Sequence, residues 1–148
     1  MGEVLLSRPV HGATRSITAA AVLDRGMAGP AWRRGGKVDL WELHDAAGAM
    51  DDEPVAVAAT RPLGDGGRVC LVAVVVTARR GEGVGQRLIE DLADSLRVQG
   101  ALALVAAVPI EDADAMVVVQ RAGLRPTHVE RASAENDGRD LVWFELQL

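Results

Sequence analysis

The sequence predicts an α/β (α+β) fold: a mixed, mostly antiparallel central sheet with one parallel strand–helix–strand unit and helices on both faces. Three observations predict it. Residues 69–76, VCLVAVVV, and 101–108, ALALVAAV, are apolar at every position. A strand with one wet face alternates, so these two read as strands covered on both faces. Between them, residues 83–99 repeat Val84, Leu88, Leu92 and Leu96 at four-residue spacing, with Ile89 and Ala93 beside them and Gln86, Arg87, Glu90, Asp91 and Asp94 away from the stripe. That is an amphipathic helix, and strand–helix–strand makes a parallel pair with a right-handed crossover. The remaining strand segments follow one another through short turns, which suits antiparallel pairing.

Each element has its own signal. Residues 3–6 suit a short first strand, and 14–27 a helix that ends near Gly26 and Gly29-Pro30. AWRRGG, 31–36, is a loop. From Val38 to His44, Val38, Leu40, Glu42 and His44 alternate with Asp39, Trp41 and Leu43, the period of a strand. Residues 54–60 form the next strand, and the glycine-rich turn RPLGDGG leads into 69–76. Gly100 closes the amphipathic helix. Pro109 ends the second apolar strand, and Asp112 or a neighbour caps a helix over 112–122 that stops at Gly123. The last two strands, 126–133 and 139–148, flank the hairpin signal NDG at 136–138. No repeat, linker or low-complexity block interrupts the order, so residues 1–148 read as one domain.

Composition narrows the function classes. Of 16 basic residues only Lys37 is lysine, which with the abundance of Ala, Val and Gly reads as the codon bias of a GC-rich bacterial genome. The net charge of −5 speaks against a nucleic-acid partner. The longest apolar run, 101–110, is too short to span a bilayer, so no membrane partner is expected. The start, MGEVLLSRPVHG, lacks a basic stretch followed by a long apolar one, so a cytoplasmic protein is expected. One cysteine, Cys70, forms no internal disulfide and no cysteine-based zinc site, and it reads as a core residue. No metal is expected.

The most informative stretch is RRGEGVG, residues 79–85, between the buried strand and the amphipathic helix. Three glycines in five residues let the backbone turn tightly and approach a ligand. The first amides of the helix lack internal partners and sit at the positive end of its dipole, so they make an anion site, which Arg79 and Arg80 reinforce. A phosphate or pyrophosphate suits it. A Walker loop needs Gly-Lys followed by Ser or Thr, and this loop holds no lysine. A dinucleotide fingerprint has GxGxxG spacing and opens the first strand–helix–strand unit; here the spacing is GxGxG and three strands come first.

Arg80-x-x-Gly83-x-Gly85 resembles the (Q/R)xxGx(G/A) signature of the GCN5-related N-acetyltransferase (GNAT) superfamily. VVTARRGEGVGQRLIEDL is similar to that family's segment from the central strand through the CoA-binding helix. AMVVVQRAGL, 115–124, is similar to its later AxxFYxKxGF segment. The resemblance covers about 100 residues and implies a GNAT-like fold, acetyl-CoA or coenzyme A as co-substrate, a small-molecule or peptide amine as acceptor, and a possible homodimer. It implies that the backbone of Ala73, Val74 and Val75 meets the pantetheine arm and acyl carbonyl. It also implies that Arg80 and the amides of Gly81, Glu82, Gly83, Val84, Gly85 and Gln86 hold the pyrophosphate, and that Asp112 touches the cofactor.

The pattern also departs from the family. The tyrosine that often serves there as general acid corresponds to Val119, and the chain contains no tyrosine. The acidic base found at the end of the fifth strand in some members corresponds to Ala106 and Ala107. A thiol leaving group with pKa near 8.5 tolerates a missing acid. An alkyl amine of pKa near 10.4 is deprotonated about once in 2,500 molecules at pH 7, roughly 4.6 kcal/mol for a base or desolvation to supply. The candidate bases are Glu42 and His44, on one face of their strand, and Glu111, just past the second apolar strand. Each also suits a plain role, as a solvated carboxylate or a part-buried histidine. His11 and His128 are less well placed, and Asp51, Asp52 and Glu53 suit a solvated turn. Trp32, Trp41 and Trp143 suit the core, or a substrate cleft. The expected activity is acyl-CoA-dependent N-acyltransfer by direct attack of an amine in a ternary complex. The alternative is a GNAT-fold module that binds CoA without chemistry.

Overall fold

The structure, a computed structural model, describes residues 5–9, 13–25, 32–45, 53–64, 66–78 and 81–148. Seven strands form one sheet: β1 (Leu5–Pro9), β2 (Asp39–Asp45), β3 (Ala56–Pro62), β4 (Arg68–Val76), β5 (Ala103–Pro109), β6 (Arg125–Glu130) and β7 (Leu141–Gln147). Three helices complete it: α1 (Ala13–Asp24), α2 (Val84–Val98) and α3 (Ala113–Arg121). The order across the sheet is β1-β2-β3-β4-β5-β7-β6. Only β4 and β5 run parallel, joined by α2; every other neighbouring pair is antiparallel. The predicted sequence of elements is the observed one, with ends moved by one to three residues.

The apolar strand patterns become two cores. On one face, α2 and α3 pack over Trp41, Leu43, Ala56, Ala58, Leu71, Leu104, Ala106 and Phe144. The stripe of α2 read from the sequence, Val84 through Leu96, is the buried set. Leu88, Ile89 and Leu92 are fully buried, together worth on the order of 5–9 kcal/mol relative to exposure. On the other face, Ala19, Val22 and Leu23 of α1 pack with Trp32 over Val57, Ala59 and Ala73. Helices therefore lie on both faces, and among the described residues α1 is the α-helix on the second.

Both later helices end the same way. Gly100, with φ +93°, follows α2 and donates to the Arg97 carbonyl, while Ala101 donates to that of Leu96. Gly123, with φ +105°, and Leu124 repeat the pattern on the carbonyls of Gln120 and Val119. These are Schellman closures, which only a residue free of Cβ strain makes readily.

Three expectations change. β4 is covered less evenly than an all-apolar strand implies: Val69 and Leu71 are buried, and the other residues are half-buried. Cys70 is accordingly half-buried rather than a core residue. The NDG segment is not a two-residue hairpin. β6 and β7 are joined by residues 131–140, in which Ala134–Asn136 form a 3-10 turn capped by Ser133, and Asp137 and Gly138 take positive φ.

Candidate functional site

β4 and β5 pair only from Arg68/Ala103 to Leu71/Ala106. Beyond that point β5 stays paired with β7 as far as Pro109/Leu141, and β4 stays paired with β3 as far as Val76/Ala56. The two parallel strands thus part in the middle of the sheet. The parting begins at a bulge. Thr60 pairs with Leu71 and Ala59 with Ala73, so Val72 has no partner of its own on β3. A bulge adds local twist and bends the strand that carries it, which turns the end of β4 away from β5. After the bulge, Ala73, Val74 and Val75 carry their backbone along the opened edge. These are the three residues that the resemblance assigns to the pantetheine arm.

The opening leads to the N-terminus of α2. The N-cap is Gly83, with φ +73°, and no side chain caps the helix. Its first turn carries no acidic residue, and Arg87 makes the first helical bond, to the Gly83 carbonyl at 3.0 Å. The amides of Val84, Gly85 and Gln86 precede that bond, so an external acceptor is free to take them. Gly81 also has positive φ, +84°, and a Cβ built at Gly81 or Gly83 meets nothing within 4 Å. The glycines there serve backbone conformation, and no described residue crowds them. Gly85 differs: its Cβ would lie 3.4 Å from Val118 Cγ1 and 3.5 Å from Val76 Cγ2. Its role is close packing of α2 against α3 and β4. Gly81, Glu82 and Gly83 are exposed, Val84 and Gly85 buried, and Gln86 half-buried. Arg79 and Arg80 lie outside the described residues.

The candidate bases separate sharply. Glu42 and His44 are both buried on β2, and the His44 Nε2 lies 3.2 Å from a Glu42 carboxylate oxygen. Glu42 is in register with Val57, and Val57 with Val75, so the pair sits on the α1 face two strands from the opened edge. Glu111 is exposed just past β5, with a carboxylate oxygen 4.0 Å from Arg139 Nε. Asp112 caps α3, its carboxylate accepting from the Ala115 amide at 3.1 Å. Val119, which the resemblance aligns with the family's tyrosine, is a residue of α3 buried in the core. Burial pushes the Cys70 thiol up, against the opposing pull of Arg61 and Arg68, so it stays protonated and unreactive at neutral pH. Trp41 is buried and donates to Thr60 Oγ1 at 2.9 Å.

Two features have no signal in the sequence: the bulge at Val72 and the ion pair of Arg34 with Asp137, 3.0 Å apart across 103 positions. Both depend on which distant residues come into register. A depression of about 600 Å³ between α1 and the start of β2, lined by Ala20, Asp24, Lys37 and Leu40 among others, is separate from the glycine loop. Among the described residues no group of three His, Cys, Asp or Glu side chains could hold a metal ion, and no helix is long and apolar enough to cross a membrane.

No protein-family model and no curated protein matches the sequence. Solved structures do match. An acetyltransferase from Bacillus subtilis in complex with CoA superposes with TM-score 0.78 at 14% identity, over 98% of this chain and 99% of that one. The ribosomal-protein-S18-alanine N-acetyltransferase from Escherichia coli gives 0.71 at 20% identity, over 97% and 94%. A protein from Desulfovibrio desulfuricans assigned to the GNAT family of acetyltransferases gives 0.73 at 17% identity, over 97% and 99%. The chain has the GNAT fold.

Proposed function

We propose that this chain binds an acyl-CoA, acetyl-CoA first among them, and transfers the acyl group to an amine within a ternary complex. The observation that carries the proposal is the coincidence of three things at one place: the bulge at Val72, the end of β4–β5 pairing, and the uncapped start of α2. The residues fit the cofactor. The loop from Gly81 to Gln86 offers outward amides to a pyrophosphate. The opened edge at Ala73, Val74 and Val75 offers backbone groups to a peptide-like arm in the manner of an added strand. When bound, the thioester supplies an activated acyl group and a leaving thiol of pKa near 8.5.

The chain's own contribution is positioning and electrostatics. Backbone amides along the opened edge stabilise the charge that develops on the acyl oxygen, fixed dipoles that need no reorganisation. Glu42 and His44 receive the amine proton through water; two strand spacings, roughly 10 Å, separate their row from Val75. Glu111, exposed at the end of β5, draws the ammonium form toward the opening. Val119 supplies no proton, and the thiol leaves unassisted.

A second reading, a module that binds CoA without chemistry, is favoured by the burial of Val119 and by a sequence with no tyrosine. One experiment separates the two. Acetyl-CoA at 100 times its dissociation constant adds about 2.7 kcal/mol, roughly 5–11 °C of Tm for a domain of this size. Free-thiol release across an amine panel then follows. A shift with thiol release supports the acyltransferase, a shift without it supports the binding module, and no shift overturns both.

A further inference from the structure

Two adjoining hollows lie at the start of β2. The larger, about 600 Å³, sits between α1 and β2, and its apolar wall is Ala20, Ala21, Trp32, Val38 and Leu40. The smaller, about 380 Å³, reaches from Gly35 to Arg61 and Pro62 at the end of β3. Lys37 and Val38 line both, so the two meet there. β1 pairs with β2 only from Trp41 to Asp45, so the start of β2 runs past the end of β1. β4 parts from β5 toward Val76, which is in register with Ala56 at the beginning of β3. The hollows sit toward the opposite end of β3, on the side of the sheet away from β5.

Their polar lining is cationic. Arg61 is half-buried, and one of its terminal nitrogens donates to the carbonyls of Trp32 and Gly36 at 3.2 and 3.3 Å. Its Nε is buried with no acceptor. The other terminal nitrogen has no partner among the described residues, and a Cβ at Gly35 would come within 3.0 Å of it. Lys37, the chain's single lysine, is exposed and also has no partner among the described residues. Three carboxylates lie nearby. Asp24 takes Trp32 Nε1 at 2.9 Å and Arg33 at 2.9 and 3.2 Å, and Arg33 holds its carboxyl below the ordinary value. Glu42, two residues beyond Leu40, is buried with His44 at 3.2 Å. Asp39 lines the smaller hollow, but it alternates with Val38 and Leu40, which pack toward α1. Two cations against that one carboxylate leave the hollows with net positive charge. A guanidinium held only by carbonyls lacks a counter-ion, and an anion beside it gains charge-assisted hydrogen bonds.

We propose that the two hollows form one binding site for a small organic carboxylate. The carboxylate meets Lys37 and Arg61, and a compact apolar body lies against Ala20, Val38 and Leu40. The site is separate from the opening between β4 and β5 and does not depend on the acyltransferase reading. Its size is in the range of pockets that enclose small molecules. Its walls select the class. The apolar side chains reward burial of a hydrocarbon body, which a bare inorganic anion lacks. An amine of the same shape would bring like charge against Lys37 and Arg61. A carboxylate on an apolar body satisfies both halves of the site at once.

The test is isothermal titration calorimetry of the full chain with phenylacetate, 2-phenylethylamine and inorganic phosphate. Phenylacetate is expected to bind saturably, at about tenfold lower concentration than either of the others. Lys37→Ala, at an exposed residue outside every strand and helix, weakens it about tenfold, and Lys37→Arg keeps most of the affinity. Arg61→Ala weakens it as well. Should losing the bonds to Trp32 and Gly36 keep that variant from folding, the two Lys37 variants decide. Saturating acetyl-CoA leaves the phenylacetate titration unchanged, because the sites are apart. Absence of saturable phenylacetate binding, equal binding of the amine or of phosphate, or wild-type affinity in Lys37→Ala overturns the carboxylate site. Displacement of phenylacetate by acetyl-CoA overturns its separateness. Loss of the acetyl-CoA thermal shift in the wild type overturns the acyltransferase reading and leaves this site standing.

Discussion

α2 and α3 follow parallel histories and begin differently. Each comes after a strand of the parallel pair, each packs on the same face of the sheet, and each ends in the same glycine closure. At its start, α3 satisfies itself: the Asp112 carboxylate takes the Ala115 amide, and Asp114 adds negative charge in the first turn. α2 starts on Gly83 in the left-handed region, with no side-chain cap and no first-turn acid. A helix whose own sequence answers its dipole has nothing left to offer a ligand. One that leaves its first amides open is less stable alone and is completed by an anion. The difference separates a self-capped helix from an open one, although both were drawn from the same strand–helix pattern.

Substitutions at the two starts break or sharpen that comparison. The largest effect is expected from Gly83→Val. The residue sits at φ +73°, where a side chain with Cβ costs roughly 1–2 kcal/mol and a β-branched one is worse placed. The loop must rearrange, and the roughly 5–11 °C shift expected with saturating acetyl-CoA disappears in differential scanning fluorimetry. A full-sized shift in this variant would remove the glycine loop from the binding site. Gly85→Leu comes next. Its side chain has to enter the contact with Val118 and Val76, an overpacking worth about 1–3 kcal/mol. Gly85→Ala places its Cβ at 3.4 and 3.5 Å from them and is tolerated. Urea unfolding of the two variants side by side checks the pair.

Asp112→Ala turns α3 into an uncapped helix like α2. The lost cap costs about 1 kcal/mol, a fall of about 2–4 °C in Tm. The acetyl-CoA shift stays near its wild-type size, because the carboxylate faces the Ala115 amide. A lost shift would assign Asp112 to the cofactor as well. The smallest change is Gln86→Glu, which puts a carboxylate in the first turn of α2 and moves it toward the condition of α3. The unliganded protein gains about 0.3–1 kcal/mol, while the acetyl-CoA shift shrinks because the new charge opposes the incoming anion. Opposite signs in one thermal-shift experiment are the signature to look for.

The strands and helices were legible in the sequence where burial is uniform along an element. The stripe of α2 was read residue by residue, because 3.6-residue periodicity and four-residue spacing select one face. The pattern around Asp112 gave the α3 cap, and the glycine spacing gave the loop. The turn after β6 was misjudged, since NDG signals reversal but does not state how many residues reverse. The capping of Asn136 and Ser133 lengthened it. Glu42 and His44 were legible as neighbours on a strand face, but their near-complete burial was not: periodicity gives a face, and only packing tells what covers it. Arg79 and Arg80, read as reinforcement of the anion site, lie outside the described residues.

The order of elements, the wholly apolar strands, the amphipathic helix and the glycine loop are local properties, fixed by neighbours a few residues apart. The sequence alone therefore determined the fold class and the position of the glycine loop. The bulge at Val72, the parting of β4 from β5 and the Arg34–Asp137 bridge are pairings between residues far apart in the chain. Such pairings depend on the register of strands, and a shift of one residue exchanges the two faces. Only the tertiary structure could decide them, and they open the middle of the sheet between β4 and β5.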